Sequence, residues 1–207
     1  MKKLKVFVAN LLARVLGWLI KGSENFLPFE VFKLLTEISP ITCVDMFPCR
    51  MYKGRWQLGL ITRNTGFFRG KLWDIGGRIN LGEPILDAFR RHMNIDLGVS
   101  VKFFPGLDWF KPAFIAQYYH LPDNPYKPSL LPDFGHEHSK HSIALTYLVQ
   151  LGDGEISFGS TEHGGQEVSN LQWFDLDNIP SKEKIAYGGY ETTVLRVVEY
   201  LKKTTVV

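Results

Sequence analysis

A glycine-rich turn that leads into a capped helix is the feature of this sequence that most constrains its fold. Residues 73–99 have the sequence WDIGGRINLGEPILDAFRRHMNIDLGV. A short apolar run ends at Gly76 and Gly77, and Pro84 then takes the favoured first position of a helix. Gly98 marks the helix end, because glycine adopts the left-handed conformation that closes many helices. The sequence therefore predicts a strand, a turn and a helix in close succession.

Charged side chains recur along this helix at spacings that bring them together, since residues four apart share a helix face. Asp87 and Arg91 form one such pair, which is interpreted as an internal brace, although Arg91 can hold Glu83 instead. His92 and Asp96 form a second pair, which can face a metal ion. An ordinary packed or solvated role suits His92 at least as well, because Mg²⁺ prefers oxygen ligands.

Two arginines flank the glycine turn. Arg78 follows Gly77 directly and can bind a phosphate group through two parallel hydrogen bonds. Arg63 ends the preceding predicted strand and can approach the same anion. Glycines allow the backbone close to a ligand, so the carbonyl of Gly76 can reach a metal ion. The turn is therefore a candidate anion site.

The spacing of these residues resembles the Nudix box, G-x5-E-x7-R-E-U-x-E-E-x-G-U, where U is a bulky apolar residue. The matching positions are Gly77, Glu83, Arg91, Met93, Gly98 and Val99. Asp96 stands at the last glutamate, whereas His92 and Ile95 replace the other two. In that family the three carboxylates gather divalent metal around a diphosphate. One retained carboxylate implies a reaction that needs less metal.

Within that superfamily the chain is similar to the GDP-mannose mannosyl hydrolase branch, over about residues 27–199. That branch also has Gly-Gly-Arg and also lacks acids at two of the three box positions. Asp45 and Arg63 fall where the branch has an aspartate and an arginine. Further likenesses are carried by Phe32, Pro40, His141–Leu151, Trp173 and Phe174.

The resemblance implies that water attacks the anomeric carbon of a nucleotide sugar, with inversion, releasing free sugar and a nucleoside diphosphate. One Mg²⁺ or Mn²⁺ ion together with Arg63 and Arg78 would neutralise the leaving diphosphate. The metal would bind the Gly76 carbonyl, Asp96 and a residue just before Trp173.

The likeness weakens just before Trp173, where the branch has a glutamine that binds metal and a histidine that activates water. Counting back without a gap places Glu167 and Val168 there. Glu167 can bind metal or act as the general base, and His163 is the alternative base if a short insertion brings it to the water. Histidines and carboxylates are both common bases, so residue type does not decide.

Asp45 and His141 complete the candidate site. By resemblance Asp45 would lie near the sugar and Arg63, whereas a satisfied buried aspartate is the structural alternative. His141 begins the strand after an irregular, proline-rich loop and is taken as a substrate contact. The loop histidines His136 and His138 favour a solvated or substrate-gating role over a metal cluster.

Strands interspersed with two packing helices predict an α/β fold, a Nudix-type α/β/α sandwich over a mixed sheet. The chain of 207 residues is 45% hydrophobic, which suffices for one packed domain, predicted over 25–207. Strands are predicted at 41–48, 56–63, 73–79, 101–104, 114–120, 142–151 and 172–176, and a C-terminal helix at 190–203.

Residues 1–24 are predicted to form an extra N-terminal amphipathic helix with one basic face. That helix can pack on its own domain or on a partner subunit, or it can lie on a membrane surface as a peripheral contact. A degenerate signal peptide is the third alternative, although Arg14 interrupts the apolar run and no small-residue cleavage site follows. The run is too short and too charged to span a bilayer. Its apolar face favours a homodimer.

The cysteine spacing and the net charge narrow the setting of the protein. Six residues of strand separate Cys43 from Cys49 by about 20 Å, which is too far for a disulfide. Two cysteines do not complete a zinc site, so buried free thiols and a cytoplasmic location are predicted. The net charge of +3 gives no case for nucleic-acid binding.

Three functions remain open on the sequence. The first is a hydrolase of a nucleoside diphosphate sugar that attacks carbon. The second is an ordinary Nudix pyrophosphatase that attacks phosphorus and gives monophosphates. The third is a catalytically inactive module that binds a nucleotide sugar, because the acid-poor box can also mean lost catalysis.

Overall fold

The computed structural model describes part of the chain. The described residues are 11, 14, 15, 39–64, 68–99, 101–103, 111–120, 140–151, 156–158, 168–186 and 193–204. The chain divides into two compact units, Met1–Pro40 and Ile41–Val207. Leu11, Arg14 and Val15 of the first unit are helical, and the rest of the predicted N-terminal helix lies outside the described residues. No helix in the described part of the chain is long and apolar enough to cross a membrane.

Eight β-strands of the second unit form one mixed sheet among the described residues. They are β1 (Ile41–Tyr52), β2 (Arg55–Arg63), β3 (Leu72–Trp73), β4 (Ile75–Arg78), β5 (Val101–Phe103), β6 (Phe114–His120), β7 (Lys140–Leu151) and β8 (Val168–Asp175). The order along the sheet is β3, β2, β1, β7, β5, with β4 paired to β1, β6 to β7 and β8 to β2. Strands β1 and β7 run parallel, and the other pairs are antiparallel.

Strand β1 organises the sheet, since it pairs with β2, β4 and β7. Its residues from Cys43 to Cys49 are all buried, as expected of a strand that is covered on both faces. Asp45 is the one charged residue in that buried stretch. Both cysteines are buried free thiols, as predicted. The strand therefore carries a carboxyl group into the centre of the sheet.

Two helices cover opposite faces of the sheet. Helix α1 (Ile85–Leu97) packs its apolar face on a core cluster that includes Val44 and Tyr147. Helix α2 (Leu195–Thr204) lies on the other face, where the guanidinium of Arg196 sits 4.1 Å from the ring centre of Phe114. Phe114 pairs with Thr146, which pairs with Asp45, and side chains opposite each other share a face. The predicted α/β/α sandwich is thus present.

Most predicted elements are observed, with changes at their ends. The first two strands continue to a two-residue turn at Lys53 and Gly54, whose positive φ values of 48° and 76° are typical of a tight hairpin. Strand β8 begins at Val168, four residues before the predicted start. Its antiparallel pairing with β2 continues past an irregularity until Val168 lies opposite Arg63. Backbone pairing therefore extends the strand through polar residues that conceal it in the sequence.

Candidate functional site

The glycine turn is shaped by contact with β1. Gly76 pairs with Asp45 and has a φ of 150°. A Cβ at this position would lie 2.1 Å from the carbonyl oxygen of Val44. Only glycine fits such an approach, so packing between the strands accounts for this residue, in addition to the role in ligand approach that was predicted.

A bidentate ion pair braces the turn against helix α1. Nε of Arg91 donates to Oε1 of Glu83 at 2.7 Å, and Nη2 donates to Oε2 at 2.7 Å. The same Nη2 donates to the carbonyl oxygen of Arg78 at 2.9 Å, and the amide of Asn80 donates to Oε2 of Glu83 at 2.8 Å. The hydrogen bonds from Arg91 lower the pKa of Glu83. Of the two predicted partners of Arg91, the structure therefore has Glu83. Asp87 instead contacts Arg90 at 3.5 Å.

His92 packs beneath the turn. Its Nε2 lies 3.1 Å from the carbonyl oxygen of Arg78, and a Cβ on Gly77 would lie 2.6 Å from the imidazole Cε1. Burial lowers the pKa of His92 to about 4, so the ring is neutral at pH 7. The imidazole therefore supports the backbone of the turn, and Gly77 is the residue that leaves room for it.

Arg78 is half-buried on the same face of the sheet as Asp45. Arg78 pairs with Cys43, and Gly76 pairs with Asp45. Because residues two apart in a strand lie on the same face, all four residues share one face of the sheet. Burial, followed by the nearby charge of Arg91, lowers the pKa of Arg78, but an arginine stays protonated in proteins. The turn thus holds a permanent cation next to the strand that carries Asp45.

Asp74 and Asp45 form a buried pair of carboxyl groups. Asp74 lies two residues before Gly76, diagonally across from Asp45, and the charge of Asp45 acts on its carboxyl group. Neither Asp74 side-chain oxygen has a hydrogen-bond partner among the described residues. Burial, and then the charge of Asp45, raises the pKa of Asp74, whereas Arg63 lowers it.

A tyrosine connects this acid pair with the C-terminal segment. The hydroxyl of Tyr118 donates to Oγ1 of Thr193 at 3.3 Å, and its ring meets Trp73 edge-on at 5.5 Å between centroids. Burial, and then the charges of Asp45 and Asp74, raises the pKa of Tyr118. The polar cluster is therefore enclosed between the sheet and the start of the last helix.

The structure brings some of the predicted site residues together and separates one of them. Asp45 and Arg63 meet through their shared neighbour Asp74. His141 of β7 pairs with Tyr119 of β6. The next residue, Ser142, pairs with Ile41 and lies on the face of Asp45, so the side chain of His141 lies on the opposite face. There Nε2 of His141 is 2.7 Å from Nε2 of Gln117.

Glu167 and His163 lie outside the described residues, and so do His136 and His138. The sequence analysis did not single out Asp74, although one signal was present. It is an acid between a tryptophan and the apolar residue before the glycines, in a stretch otherwise suited to a buried strand.

The described residues alone do not form a metal centre, since no group of three His, Cys, Asp or Glu side chains among them can hold an ion. Of the predicted metal ligands, the described residues include Asp96, which is buried, and Gly76. His92 bonds to the Arg78 carbonyl instead, and Ile95 has no ligand atom. Oxygen donors suit Mg²⁺, but a third donor would have to come from a residue such as Glu167.

Solved structures similar to this one identify the fold. A candidate asymmetric diadenosine tetraphosphate hydrolase from Jonesia denitrificans is 24% identical, with a TM-score of 0.57, covering 80% of this chain and 96% of that one. A candidate NUDIX hydrolase from Listeria monocytogenes is 15% identical, with a TM-score of 0.52, over 81% and 97% of the two chains. The chain has the Nudix fold.

An Ap4A hydrolase of C. elegans is a further structure with this Nudix fold, at 10% identity and a TM-score of 0.52, covering 79% of this chain and 98% of that one. No protein-family model matches the sequence, and no curated protein matches it either. The likeness to the Nudix structures therefore establishes the architecture, and the chemistry has to be argued from the site.

Replacing Asp74 with asparagine is expected to stabilise the protein above neutral pH. Because the pKa of Asp74 is raised in the folded state, the folded chain keeps a proton that the unfolded chain releases, and stability falls as pH rises through that interval. Asparagine cannot ionise, and its amide can donate to Asp45. A gain of about 1 kcal/mol at pH 8 would raise Tm by about 2–4 °C.

Thermal unfolding followed by circular dichroism from pH 4 to pH 9 tests this expectation. The stabilisation should shrink toward pH 4, where the wild-type pair is protonated without cost. Asp87→Asn, on an exposed part of helix α1, is the matched control and should leave the pH dependence unchanged. Identical pH profiles for Asp74→Asn and the wild type would contradict the raised pKa of Asp74.

Proposed function

We propose that the protein is a Nudix hydrolase of a nucleoside diphosphate sugar of the GDP-mannose type. The observation that carries the proposal is the braced turn, which sets the cation of Arg78 on the sheet face of Asp45. The acid-poor helix agrees with it, since two of the three box acids are replaced by His92 and Ile95. Such a site suits a reaction in which the diphosphate departs intact.

In the proposed reaction the oxygen of water bonds to the anomeric carbon and the bond from that carbon to the diphosphate oxygen breaks. The electron pair leaves with the diphosphate, and a base takes the proton of the water. Arg78 and Arg63 would bind the departing diphosphate, since guanidinium groups match phosphate oxygens in pairs. Asp45 would accept a hydrogen bond from a sugar hydroxyl. Glu167 or His163 would be the base.

A divalent ion belongs to the proposal as Mg²⁺ or Mn²⁺, held by the Gly76 carbonyl, Asp96 and Glu167. When bound, it would supply positive charge to the leaving group.

A cytoplasmic homodimer is proposed as the working form, as the N-terminal helix and the free thiols suggest. His141 is kept as a candidate substrate contact only for groups that reach the far side of the sheet.

A second function, ordinary cleavage at phosphorus, is favoured by one observation. Two of the similar structures are diadenosine tetraphosphate hydrolases by name, and such substrates contain no anomeric diphosphate ester to attack. The substrate would then be a nucleoside polyphosphate and one product a monophosphate or a longer nucleotide.

The decisive experiment incubates the full chain with Mg²⁺ and a mixture of nucleoside diphosphate sugars and diadenosine tetraphosphate, in water enriched in oxygen-18. Free sugar carrying the label, with an unlabelled nucleoside diphosphate, is the expected result in proton and phosphorus NMR. Labelled phosphate groups would establish the second function. Binding of one compound with no turnover would identify a nucleotide-binding module.

A further inference from the structure

His92 stands where the Nudix box has the first of its three metal-gathering glutamates, and here it supports the backbone of the turn. Nε2 of His92 lies 3.1 Å from the carbonyl oxygen of Arg78. A carbonyl oxygen only accepts hydrogen bonds, so Nε2 carries the proton and donates it. His92 is partly buried, so the bond is partly shielded from water.

A second donor reaches the same oxygen from the neighbouring helix position. Nη2 of Arg91 donates to the Arg78 carbonyl at 2.9 Å while its guanidinium is locked onto Glu83. A carbonyl oxygen has two lone pairs, and here each receives one donor. Two successive helix residues therefore converge on one backbone atom and restrain it in two directions.

The contact also has a matched shape. The ring of His92 fills the space beside Gly77, where a Cβ would approach to 2.6 Å. A glutamate at this position would direct an acceptor at the carbonyl oxygen of Arg78 and would be repelled by it. A hydrogen-bond donor therefore suits this position better than an ionised glutamate would.

We propose that His92 is a positioning residue that holds the backbone of Arg78, so that its guanidinium meets the diphosphate of the substrate. The inference rests on the proposed function, because it concerns how that site binds its anion. In this proposal the hydrogen bond from His92 holds the turn, where the usual box would have a metal-bound glutamate. The turn is then preformed before any ion or substrate arrives.

A double-mutant cycle with Arg78 tests this role, with GDP as the probe and EDTA present. Affinities are measured by calorimetry for the full chain, for His92→Leu, for Arg78→Ala and for the double variant. His92→Leu should weaken GDP binding about tenfold, which corresponds to one hydrogen bond. In the Arg78→Ala background the same change should have no effect on GDP affinity, since the guanidinium that His92 positions is absent.

Other outcomes of the cycle would overturn the proposal. An equal loss in both backgrounds would show a general structural role, and no loss in either would show that the contact is without consequence. His92→Gln should restore most of the affinity, because its amide nitrogen can replace Nε2. Asn94→Leu, at an exposed position of the same helix, is the control and should bind GDP like the wild type.

A readout without ligand separates this inference from the proposed function. Hydrogen exchange at the amides of residues 76–79 should be about tenfold faster in His92→Leu than in Asn94→Leu, because one restraint on the turn is lost. Unchanged exchange would overturn the support role even if GDP binds. If the wild type does not bind GDP while exchange accelerates as expected, the proposed function fails and the support of the turn by His92 stands.

Discussion

Replacing Gly76 with alanine is expected to destabilise the protein by about 3–5 kcal/mol, enough to remove most of the stability of an ordinary domain. The added Cβ would meet the Val44 carbonyl oxygen at 2.1 Å and the Cα of Asp45 at 2.9 Å. Both atoms belong to the backbone of β1, which cannot yield without breaking its pairing with β7. The φ of 150° adds a further strain for any residue with a side chain.

Urea unfolding of purified protein measures this loss, and Gly82→Ala provides a matched control. Gly82 also has a positive φ, of 77°, but a Cβ there would meet nothing within 4 Å. The control should cost about 1–2 kcal/mol, the usual penalty of a left-handed conformation. Equal costs at the two glycines would show that β4 can move away from β1, contrary to the close packing described above.

Replacing Arg91 with alanine is the second substitution with a large expected effect, a loss of about 2–3 kcal/mol in the free energy of unfolding. The change leaves the half-buried carboxylate of Glu83 with the Asn80 amide as its remaining donor and removes one of the two donors to the Arg78 carbonyl. The figure lies below that of a fully buried pair, because the Arg91 and Glu83 side chains are 30% and 14% exposed.

Arg90→Ala, on the exposed side of the same helix, is the control and should change stability by less than about 0.5 kcal/mol. The pH dependence gives a second check. The folded-state pKa of Glu83 is lowered by its hydrogen bonds to Arg91, so this stabilisation is present above the ordinary glutamate pKa and is lost as pH falls through the folded-state value. The difference in free energy of unfolding between the wild type and Arg91→Ala should therefore become smaller in acid. A difference that does not change with pH would contradict the pairing.

The sequence predicts best those features that depend on residues near each other in the chain. The helix from Pro84 to Gly98 follows from apolar periodicity and from its end signals, and Gly98 does close it with a φ of 65°. The link between Glu83 and Arg91 spans eight residues and is a recurrent part of the box pattern. Local spacing and local conformation determine such features, so they can be predicted without knowing the tertiary fold.

Features that depend on sheet register are not visible in the sequence. The partner of His92 is a backbone atom 14 positions earlier, which helical spacing on its own does not bring near. Asp74 meets Asp45 because β4 and β1 pair in one particular register. For the same reason the side of the sheet that His141 occupies follows from its pairing on β7, and composition does not decide it.

The candidate general bases are a separate case. Glu167 and His163 precede β8, whose observed start at Val168 fixes where the strand begins but not how these two side chains are placed. They remain predictions from the resemblance. The NMR product analysis with His163→Gln would separate them, since this change should abolish turnover only if His163 is the base. Glu167→Gln does not separate them, because Glu167 is also the proposed metal ligand.

The parallel pairing of β1 with β7 has a consequence for how the chain acquires this site. The two strands lie about 100 positions apart in sequence, so their contacts close a very long loop, and topologies of this kind fold slowly. During synthesis β1 leaves the ribosome early but cannot be enclosed until residue 151 has emerged. Until then Asp45 sits on an unprotected strand edge that invites intermolecular pairing. The protein should therefore depend on chaperones during its production more than its modest size suggests.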